Sequence, residues 1–370
     1  MNLQLLKTLF LLTLFLVFPE VVSAAEEVHV AVVGPMGGTS VAVGIQYKAG
    51  VSAALRSLPG GMLLDRPVVV SLYDDGCDAA IAEAVAQQIV ENPPAVVIGH
   101  SCSGATIAAA PVYASHKVLQ ITPASTNPKV TGMGIGTIFR MIGRDDVQGE
   151  LAARRIAERH AGQRVGVLYF PRAYSLTLSR TAMESLAKRG ITPVVTVQAK
   201  SGETSYTDAI EQFLNHHVEV LYMVGGGLDS GIFMRQVRQM GAAFDVIGSD
   251  TLVSEVFQKT AGDAANGVPF TFPPEAVRLA SAAQAAEAVR ATGFEPAGYT
   301  LLAYAAIQVW IEGVERAQSF DTGNVAEAIH KAPVETILGT VSFDAQGDIA
   351  TPFAPFAWYT WKDGRRVPLD

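Results

Sequence analysis

The sequence predicts an α/β protein with two domains, each a parallel sheet covered by helices on both faces. Three observations predict it. The 370 residues are enough for about two domains of ordinary size. Runs of β-branched residues, such as Val28 to Val33 and Pro67 to Tyr73, alternate with helical stretches. Two such strand–helix series follow one another along the chain, and this alternation is typical of parallel sheets.

The first 24 residues are predicted to be a secretory signal peptide. Lys7 gives a positive start, an apolar run covers Leu9 to Phe18, and Val22-Ser23-Ala24 is a small-residue cleavage site. The alternative, a transmembrane anchor, would need a longer uncharged run to span ~30 Å of hydrocarbon. We expect cleavage after Ala24 and a periplasmic protein without a lipid anchor, because no cysteine lies at the cleavage site.

The first series has four predicted strands and three predicted helices. The strands are aliphatic runs: 28–33, 67–73, 95–98 and 118–121. The helices are 43–58, 79–90 and 104–114. Pro59-Gly60-Gly61 ends the first of these helices, because this triplet cannot continue a helix.

The second series begins after the glycine-rich stretch 132–143. Its predicted strands are 164–169, 192–198, 218–224 and 246–247. Its predicted helices are 146–161, 175–189, 206–217 and 229–241. After Pro273-Pro274, the sequence predicts helices near 275–291, 298–318 and 322–330 and two β-like runs, 337–343 and 356–361.

Composition and motifs exclude several functions. The chain has 27 Lys and Arg against 35 Asp and Glu and no basic tract, which argues against nucleic-acid binding. The segment 99–104 resembles a nucleophile elbow, but G-x-S-x-G would need glycine at Ser103, and His100 is interpreted as a packed loop histidine. Gly225-Gly226-Gly227 matches no phosphate-binding motif, and His216-His217 point in different directions. We therefore expect no catalytic residues, metal or cofactor.

The two cysteines and four polar loops are the remaining informative features of the sequence. Cys77 and Cys102 are the only cysteines, and two thiols in an oxidising compartment usually pair, although two separate buried thiols are the alternative. Four loops at the carboxyl ends of predicted strands are rich in Gly, Ser, Thr or Asp and contain no Lys or Arg: 34–44, 99–104, 122–127 and 248–250. Backbone amides and hydroxyls there can bind a small polar group, although turns and helix caps explain any single loop.

Six collinear stretches carry a family resemblance: VHVAVVGPMGG (28–38), YDDGCD (73–78), VIGHSCSGAT (97–106), ITPASTNP (121–128), AGDAANG (261–267) and FDAQGD (343–348). With them the chain resembles the periplasmic Leu/Ile/Val-binding proteins of ABC importers, which have the type I periplasmic binding protein fold. The resemblance implies a Cys77–Cys102 disulfide and a monomer that binds a small ligand, an amino acid, and delivers it to a membrane permease without chemistry.

The resemblance also implies the domain organisation. Two doubly wound parallel-sheet lobes would be joined by three crossovers, with the ligand in the cleft between them. The first lobe would comprise 25–143 and 272–354, and the second 144–271 and 355–370. Closure of the lobes on the ligand would be the signal to the permease.

The family's amino-acid clamp can be matched residue by residue. Ser103 and Thr126 match the residues whose hydroxyls bind the ligand carboxylate, and Ala124 would offer its carbonyl to the ammonium. Asp250 falls where the family has an acidic residue for the ammonium, here one methylene shorter. Tyr174 matches a cleft tyrosine that helps hold the head group.

The side-chain pocket departs from the family pattern. Val43 stands where the Leu/Ile/Val binders have a tryptophan, and Gly226-Gly227 where they have two tyrosines. Loss of aromatic side chains opens space, so we expect a bulkier ligand side chain, such as an aromatic one. The alternative is that neighbouring side chains refill the space: Met36, Phe170 and Leu228.

Other functions stay open at this point. The same fold and cleft serve as the soluble partner of a membrane sensor, and related branches of the superfamily bind amides, urea or aromatic acids. A secreted hydrolase would need a nucleophile–base pair, which the sequence does not offer.

Overall fold

The structure, a computed structural model, describes residues 25–350 and 355–369, so the predicted leader lies outside the described residues. The described chain forms two α/β lobes, each built on a mainly parallel sheet, together with one small antiparallel sheet. The fold class predicted from the sequence is confirmed.

The first sheet lies early in the chain. Its strands are β1 Val28–Gly34, β2 Met62–Leu63, β3 Arg66–Asp74, β4 Val96–Ile98, β5 Leu119–Thr122 and β6 Ile138–Arg140. The helices that accompany them are α1 Val41–Leu55, α2 Ala79–Ile89, α3 Ser103–Ser115 and α4 Lys129–Gly132. The strand order is β2-β3-β1-β4-β5-β6, and every neighbouring pair except β2 and β3 is parallel.

The second sheet is built from the middle of the chain. Its parallel strands are β7 Val165–Tyr169, β8 Val195–Gln198, β9 Val220–Val224, β10 Asp245–Gly248 and β11 Phe270–Phe272. The accompanying helices are α5 Asp145–Arg159, α6 Ala173–Ala187, α7 Thr207–Asn215, α8 Gly227–Gln239 and α9 Glu255–Ala261.

The last hundred residues contribute to both lobes. The remaining elements are α10 Ala283–Arg290, α11 Thr300–Ala317, α12 Thr322–Lys331, β12 Val334–Thr336, β13 Gly339–Phe343, β14 Ile349–Ala350, β15 Ala357–Lys362 and β16 Arg365–Leu369. Helix α11 packs on α1, β4 and β5, so it belongs to the first lobe. Strands β15 and β16 extend the second sheet, whose order is β16-β15-β11-β10-β9-β7-β8. The chain therefore passes between the lobes three times: after β6, after β11 and between β14 and β15.

The topology fixes where a ligand can meet both lobes. Strands β4, β5 and β9 are buried along their whole length, as expected for aliphatic strands covered on both faces. The strand order reverses between β1 and β4 in the first sheet and between β7 and β9 in the second. Ligands bind at such switch points, beyond the carboxyl ends of the strands, which is where the predicted site loops begin.

Several predicted elements differ from the structure. The helix predicted over 275–291 is wrong in its first half, which forms two 3₁₀ turns, at Ala276–Arg278 and Ala280–Ala282. Leu279 between them is extended because its side chain packs on the apolar core. Strands β6 and β11 were not predicted because, unlike the equally short β4, they are not continuous aliphatic runs: they contain Arg140 and Thr271. Strand β16 was missed as well, since this edge strand has little apolar character.

The division of the chain between the lobes stays a prediction. Phe272, which the sequence analysis assigned to the first lobe, ends a strand of the second sheet and therefore lies at the second crossover.

The predicted disulfide is present between Cys77 and Cys102, whose Cα atoms are 5.4 Å apart. Cys77 follows β3 and Cys102 immediately precedes α3, so the bond joins two loops at the carboxyl edge of the first sheet. The disulfide thereby restricts the position of Cys102, the residue before Ser103.

Replacing both cysteines with alanine is expected to lower the free energy of unfolding by ~3 kcal/mol, because the cross-link restricts the unfolded chain over a separation of 25 residues. Denaturant titration of the wild type and of the Cys77→Ala/Cys102→Ala variant measures this difference. Wild type treated with reductant should unfold like the variant. Equal unfolding midpoints for the oxidised wild type and the variant would contradict the prediction.

Candidate functional site

The first lobe contributes neutral groups to the cleft. Ser103 is the first residue of α3 and is buried, and its Oγ accepts a hydrogen bond from the Asn127 N–H at 3.3 Å. Ala124 and Thr126 lie in the loop after β5 and are also buried. The hydrogen bond between the Asn127 N–H and Ser103 Oγ joins the loop after β5 to the start of α3. The backbone N–H groups at the start of α3 favour an anion at this place.

Arg140 of β6 holds the loop after β5 in position. Its buried guanidinium donates through Nη1 to the carbonyl oxygens of Asn127, at 2.8 Å, and Ser125, at 3.3 Å. The Nε–H donates to Asp348 Oδ1 at 2.7 Å. Burial lowers the pKa of Arg140, and the neighbouring Asp348 carboxylate opposes this shift. The guanidinium thus stays paired while it fixes two carbonyls of the loop after β5.

His100 supports the loop that leads to Ser103. Its ring is fully buried, with Nδ1 2.7 Å from Asp75 Oδ2 and Nε2 3.1 Å from the Tyr113 hydroxyl. Its carbonyl accepts hydrogen bonds from three hydroxyl groups: Thr106, Thr122 and Ser125. His100 is therefore a packed loop histidine, as the sequence predicted.

The second lobe contributes a carboxylate, Asp250, which follows β10. Its Oδ1 accepts hydrogen bonds from the Tyr174 hydroxyl at 2.5 Å and from Gln148 Nε2 at 3.1 Å. Its Oδ2 accepts one from the Tyr299 hydroxyl at 3.1 Å. Tyr299 directly precedes α11 in the first lobe, so the Asp250 carboxylate is bound by both lobes at once.

A second carboxylate, Asp145, lies beside Asp250. Asp145 begins α5, and its N–H donates to the Thr126 carbonyl at 2.8 Å, which joins it to the loop after β5. Both of its carboxylate oxygens are buried and accept no well-formed hydrogen bond from the described residues, although the Thr126 hydroxyl is close enough to lower the pKa of this carboxyl. Burial raises the pKa of Asp145 well above its ordinary value, and the negative charge of Asp250 raises it further. Burial also raises the pKa of Asp250, against the effect of its hydrogen-bond donors.

Sequence reasoning missed four polar groups of this site: Asp145, Gln148, Tyr222 and Tyr299. A signal was present for two of them, because Asp145 and Gln148 are three residues apart at the start of a helix and share one face. Tyr222 lies in an apolar run and Tyr299 just before one, so both look like core residues. Burial raises the pKa of Tyr222, and the charges of Asp145 and Asp250 raise it further, so this hydroxyl lies near both carboxylates.

The positions that depart from the family pattern lie around the start of α8. A Cβ on exposed Gly226 would meet no atom closer than Asp229 Oδ2, at 4.0 Å. A Cβ on Gly227 would lie 3.1 Å from the Ser254 side chain, and one on Gly225 only 2.4 Å from the Phe170 ring. Phe170 thus fills the space beside Gly225, whereas the space beside Gly226 is open.

Val43 lies in the first turn of α1, half-buried against the core. A larger ligand pocket formed by Val43 and Gly226-Gly227 stays a prediction.

Among residues 25–350 and 355–369, no group of three or more His, Cys, Asp or Glu side chains could hold a metal ion. None of the helices described above is long and apolar enough to cross a membrane.

Two lobes with parallel sheets and a polar cleft between them define the class of two-lobed binding proteins. Residues 27–365 match the family described as periplasmic binding protein, and the chain belongs to this family.

Relatives of known name and structure are similar over almost the whole chain. An amino acid binding protein of Pseudomonas aeruginosa is 32% identical over 344 residues, covering 92% of this chain and 91% of the relative. The Leu/Ile/Val-binding protein homolog 1 of Brucella abortus is also 32% identical, with 92% of each chain covered. The crystal structure of the leucine-binding protein LivK of Thermotoga maritima has a TM-score of 0.85 at 25% identity, covering 93% of this chain and 98% of that one.

Asp145→Asn is expected to stabilise the ligand-free protein at neutral pH. A carboxyl group whose pKa is raised on folding stabilises the fold while it is protonated, below its ordinary pKa, and this stabilisation is lost as the pH rises through the raised pKa. Each unit of upward shift corresponds to about 1.4 kcal/mol. The thermal unfolding midpoint of the variant should therefore exceed that of the wild type at about pH 7.5, and the difference should vanish towards about pH 4.

The matched control is Asp146→Asn, which removes a half-exposed carboxylate paired with Arg144 at 3.0 Å and should give no gain. An Asp145→Asn midpoint equal to that of the wild type at both pH values would contradict the prediction.

Proposed function

We propose that this protein is a periplasmic solute-binding protein of an ABC importer, which binds the head group of an amino acid between its lobes. The observation that carries the proposal is the pair of buried carboxylates, Asp145 and Asp250, together with the buried neutral loop of Thr126, which is hydrogen-bonded to Asp145 and through Asn127 to Ser103. An amino acid has the matching pair of charges. The relatives named as amino acid-binding, Leu/Ile/Val-binding and leucine-binding proteins support the same ligand class.

Each end of the head group has its own partners. The ligand carboxylate would accept hydrogen bonds from Ser103, Thr126 and the N–H groups at the start of α3. The ammonium would lie against Asp250 and Asp145 and donate to the Ala124 carbonyl. A cation between two buried carboxylates lowers the pKa of both, so ligand binding would remove the destabilisation that burial imposes on them.

The same two carboxylates argue against other ligand classes. An aromatic acid without an amine would add a third negative charge to the cleft, and an amide or urea would leave both carboxylates without a cation. Placing like charges together in a buried site costs several kcal/mol, which is more than a typical hydrogen bond contributes.

The remaining roles follow from this binding mode. The leader, 1–24, would direct export, with the mature protein free of a lipid anchor and monomeric. The lobes, 25–143 with 272–354 and 144–271 with 355–370, would close on the ligand by bending at the crossovers. The permease in the membrane would recognise the closed form. Binding and release break no covalent bond, so the protein would not be an enzyme and would use no cofactor.

Calorimetric titration with Leu, Ile, Val, Phe and Tyr tests the ligand class and the pocket together. Because Gly226 is open, we expect binding with a preference for Phe or Tyr over Val. A clear preference for Val over Phe would contradict the larger pocket and leave amino-acid binding intact. No binding of any of the five would contradict the proposed ligand class.

Asp250→Ala is expected to lose most affinity for the preferred amino acid. A hydrogen bond to a charged group contributes roughly 1.5–3 kcal/mol, so the dissociation constant should rise roughly 10- to 150-fold. Asp250→Asn keeps the size of the side chain and should show a similar loss, because it removes the charge. An unchanged dissociation constant in both variants would exclude Asp250 as the ammonium partner.

A further inference from the structure

Helix α6 of the second lobe packs against three segments of the first lobe at the edge of the cleft. The Arg172 guanidinium, just before the helix, lies 3.5 Å from the carbonyl oxygen of Cys77. A Cβ on Gly104 of α3 would lie 3.5 Å from the Ala173 Cβ. The third segment is the loop after β5, which reaches α6 through Asn127.

Asn127 makes the most direct of these contacts. Its Nδ2 donates to the Thr177 hydroxyl at 2.8 Å and to the Ala173 carbonyl at 3.1 Å, both in the first turns of α6. The side chain is buried, and its Oδ1 accepts from the Lys129 N–H at 2.9 Å within its own loop. Both hydrogens of the amide are therefore used between the lobes, while its oxygen anchors it to the first lobe.

The backbone of Asn127 belongs to the loop after β5. Its N–H donates to Ser103 Oγ, its carbonyl accepts from Arg140, and the residue before it is Thr126. On the other side, the carbonyl that Asn127 binds is that of Ala173, the residue before Tyr174. One side chain thus joins the loop that would bind the ligand carboxylate to the turn that presents Tyr174 to Asp250.

The hydrogen bond between Tyr299 and Asp250, which also joins the lobes in this cleft, has a different character. Tyr299 reaches across to Asp250, which the proposed ligand would also use. The Asn127 amide instead binds groups that have no proposed ligand contact. Its effect on lobe closure is therefore separable from ligand recognition.

We infer that Asn127 is a positioning residue that couples occupation of the carboxylate end of the cleft to lobe closure, through its hydrogen bonds to Thr177 and Ala173. This inference rests on the proposed function. When the loop after β5 is ordered around a carboxylate, Asn127 is aligned to bind α6, and the bond to α6 in turn keeps Tyr174 in place. Removal of the contact should favour the open form and shorten the lifetime of the bound state.

Thr177→Val is the cleanest test, because it removes one acceptor in the second lobe and leaves the loop after β5 untouched. A neutral hydrogen bond contributes about 0.5–1.5 kcal/mol, so the dissociation rate constants of L-leucine and L-phenylalanine should rise about 2- to 12-fold, by the same factor for both. The association rate constants should stay at the wild-type values, and the unfolding midpoint of the ligand-free variant should fall by no more than the loss of this one hydrogen bond. Thr196→Val, an exposed threonine of β8, is the matched control and should change nothing.

A double-mutant cycle with Asn127→Ala completes the test. Thr177→Val should have no further effect in the Asn127→Ala background, because the shared contact is already lost. Wild-type dissociation rates in Thr177→Val, or an undiminished effect of Thr177→Val in that background, would overturn the inference.

If the wild type binds neither amino acid, the proposed function fails, and the inference is then judged by small-angle X-ray scattering of the unliganded proteins. A larger radius of gyration is expected for Asn127→Ala and Thr177→Val than for the wild type and Thr196→Val. Four equal radii would overturn it.

Discussion

The buried ion pair between Arg140 and Asp348 is the interaction on which the rest of the site depends. Arg140 is on β6, the last strand before the chain leaves the first lobe, and Asp348 comes from the late segment that returns to it. A fully buried guanidinium is tolerated only when it is paired and its N–H groups are bonded. Here the remaining donors bind Thr131 and the carbonyls of Ser125 and Asn127. Satisfying one buried charge therefore sets the shape of the loop that carries Ala124 and Thr126.

The carboxylates of Asp250 and Asp145, in contrast, are not hydrogen-bonded to a cation among the described residues. Asp250 is bound by neutral donors from Tyr174, Gln148 and Tyr299, and the oxygens of Asp145 accept no well-formed hydrogen bond from the described chain. Burial raises the pKa of both groups, which destabilises the charged forms in the fold. Strongly perturbed carboxyl groups in a cleft are typical of functional sites, because their cost is recovered when a ligand of opposite charge binds. This arrangement connects the stability of the fold with the class of ligand.

The candidate site residues come from both lobes, so closure of the lobes would be part of ligand recognition. The hydroxyls of Ser103 and Thr126 belong to the first lobe, and Asp250 and Tyr174 belong to the second. Asp145 lies just after the first crossover, its N–H donates to the Thr126 carbonyl, and the charge of Asp250 raises the pKa of its carboxyl. In the proposed binding mode the head group would contact residues of both lobes, so the full set of contacts would exist only when the lobes meet. Asn127 extends this coupling to the outer edge of the cleft.

The sequence by itself determined the fold class, because aliphatic strands alternating with helices leave few arrangements other than parallel sheets. Together with a family resemblance it also indicated the disulfide, which the structure contains, and the candidate residues Ser103, Thr126, Tyr174 and Asp250. Only the tertiary structure decided which side chains share a buried environment. Asp145 reads as an ordinary acidic residue at a helix start until the crossover buries it beside Asp250. Tyr299 reads as a core residue until α11 packs in the first lobe and directs its hydroxyl to a carboxylate of the second. Both depend on contacts between residues 49 or more positions apart, which local sequence patterns do not encode.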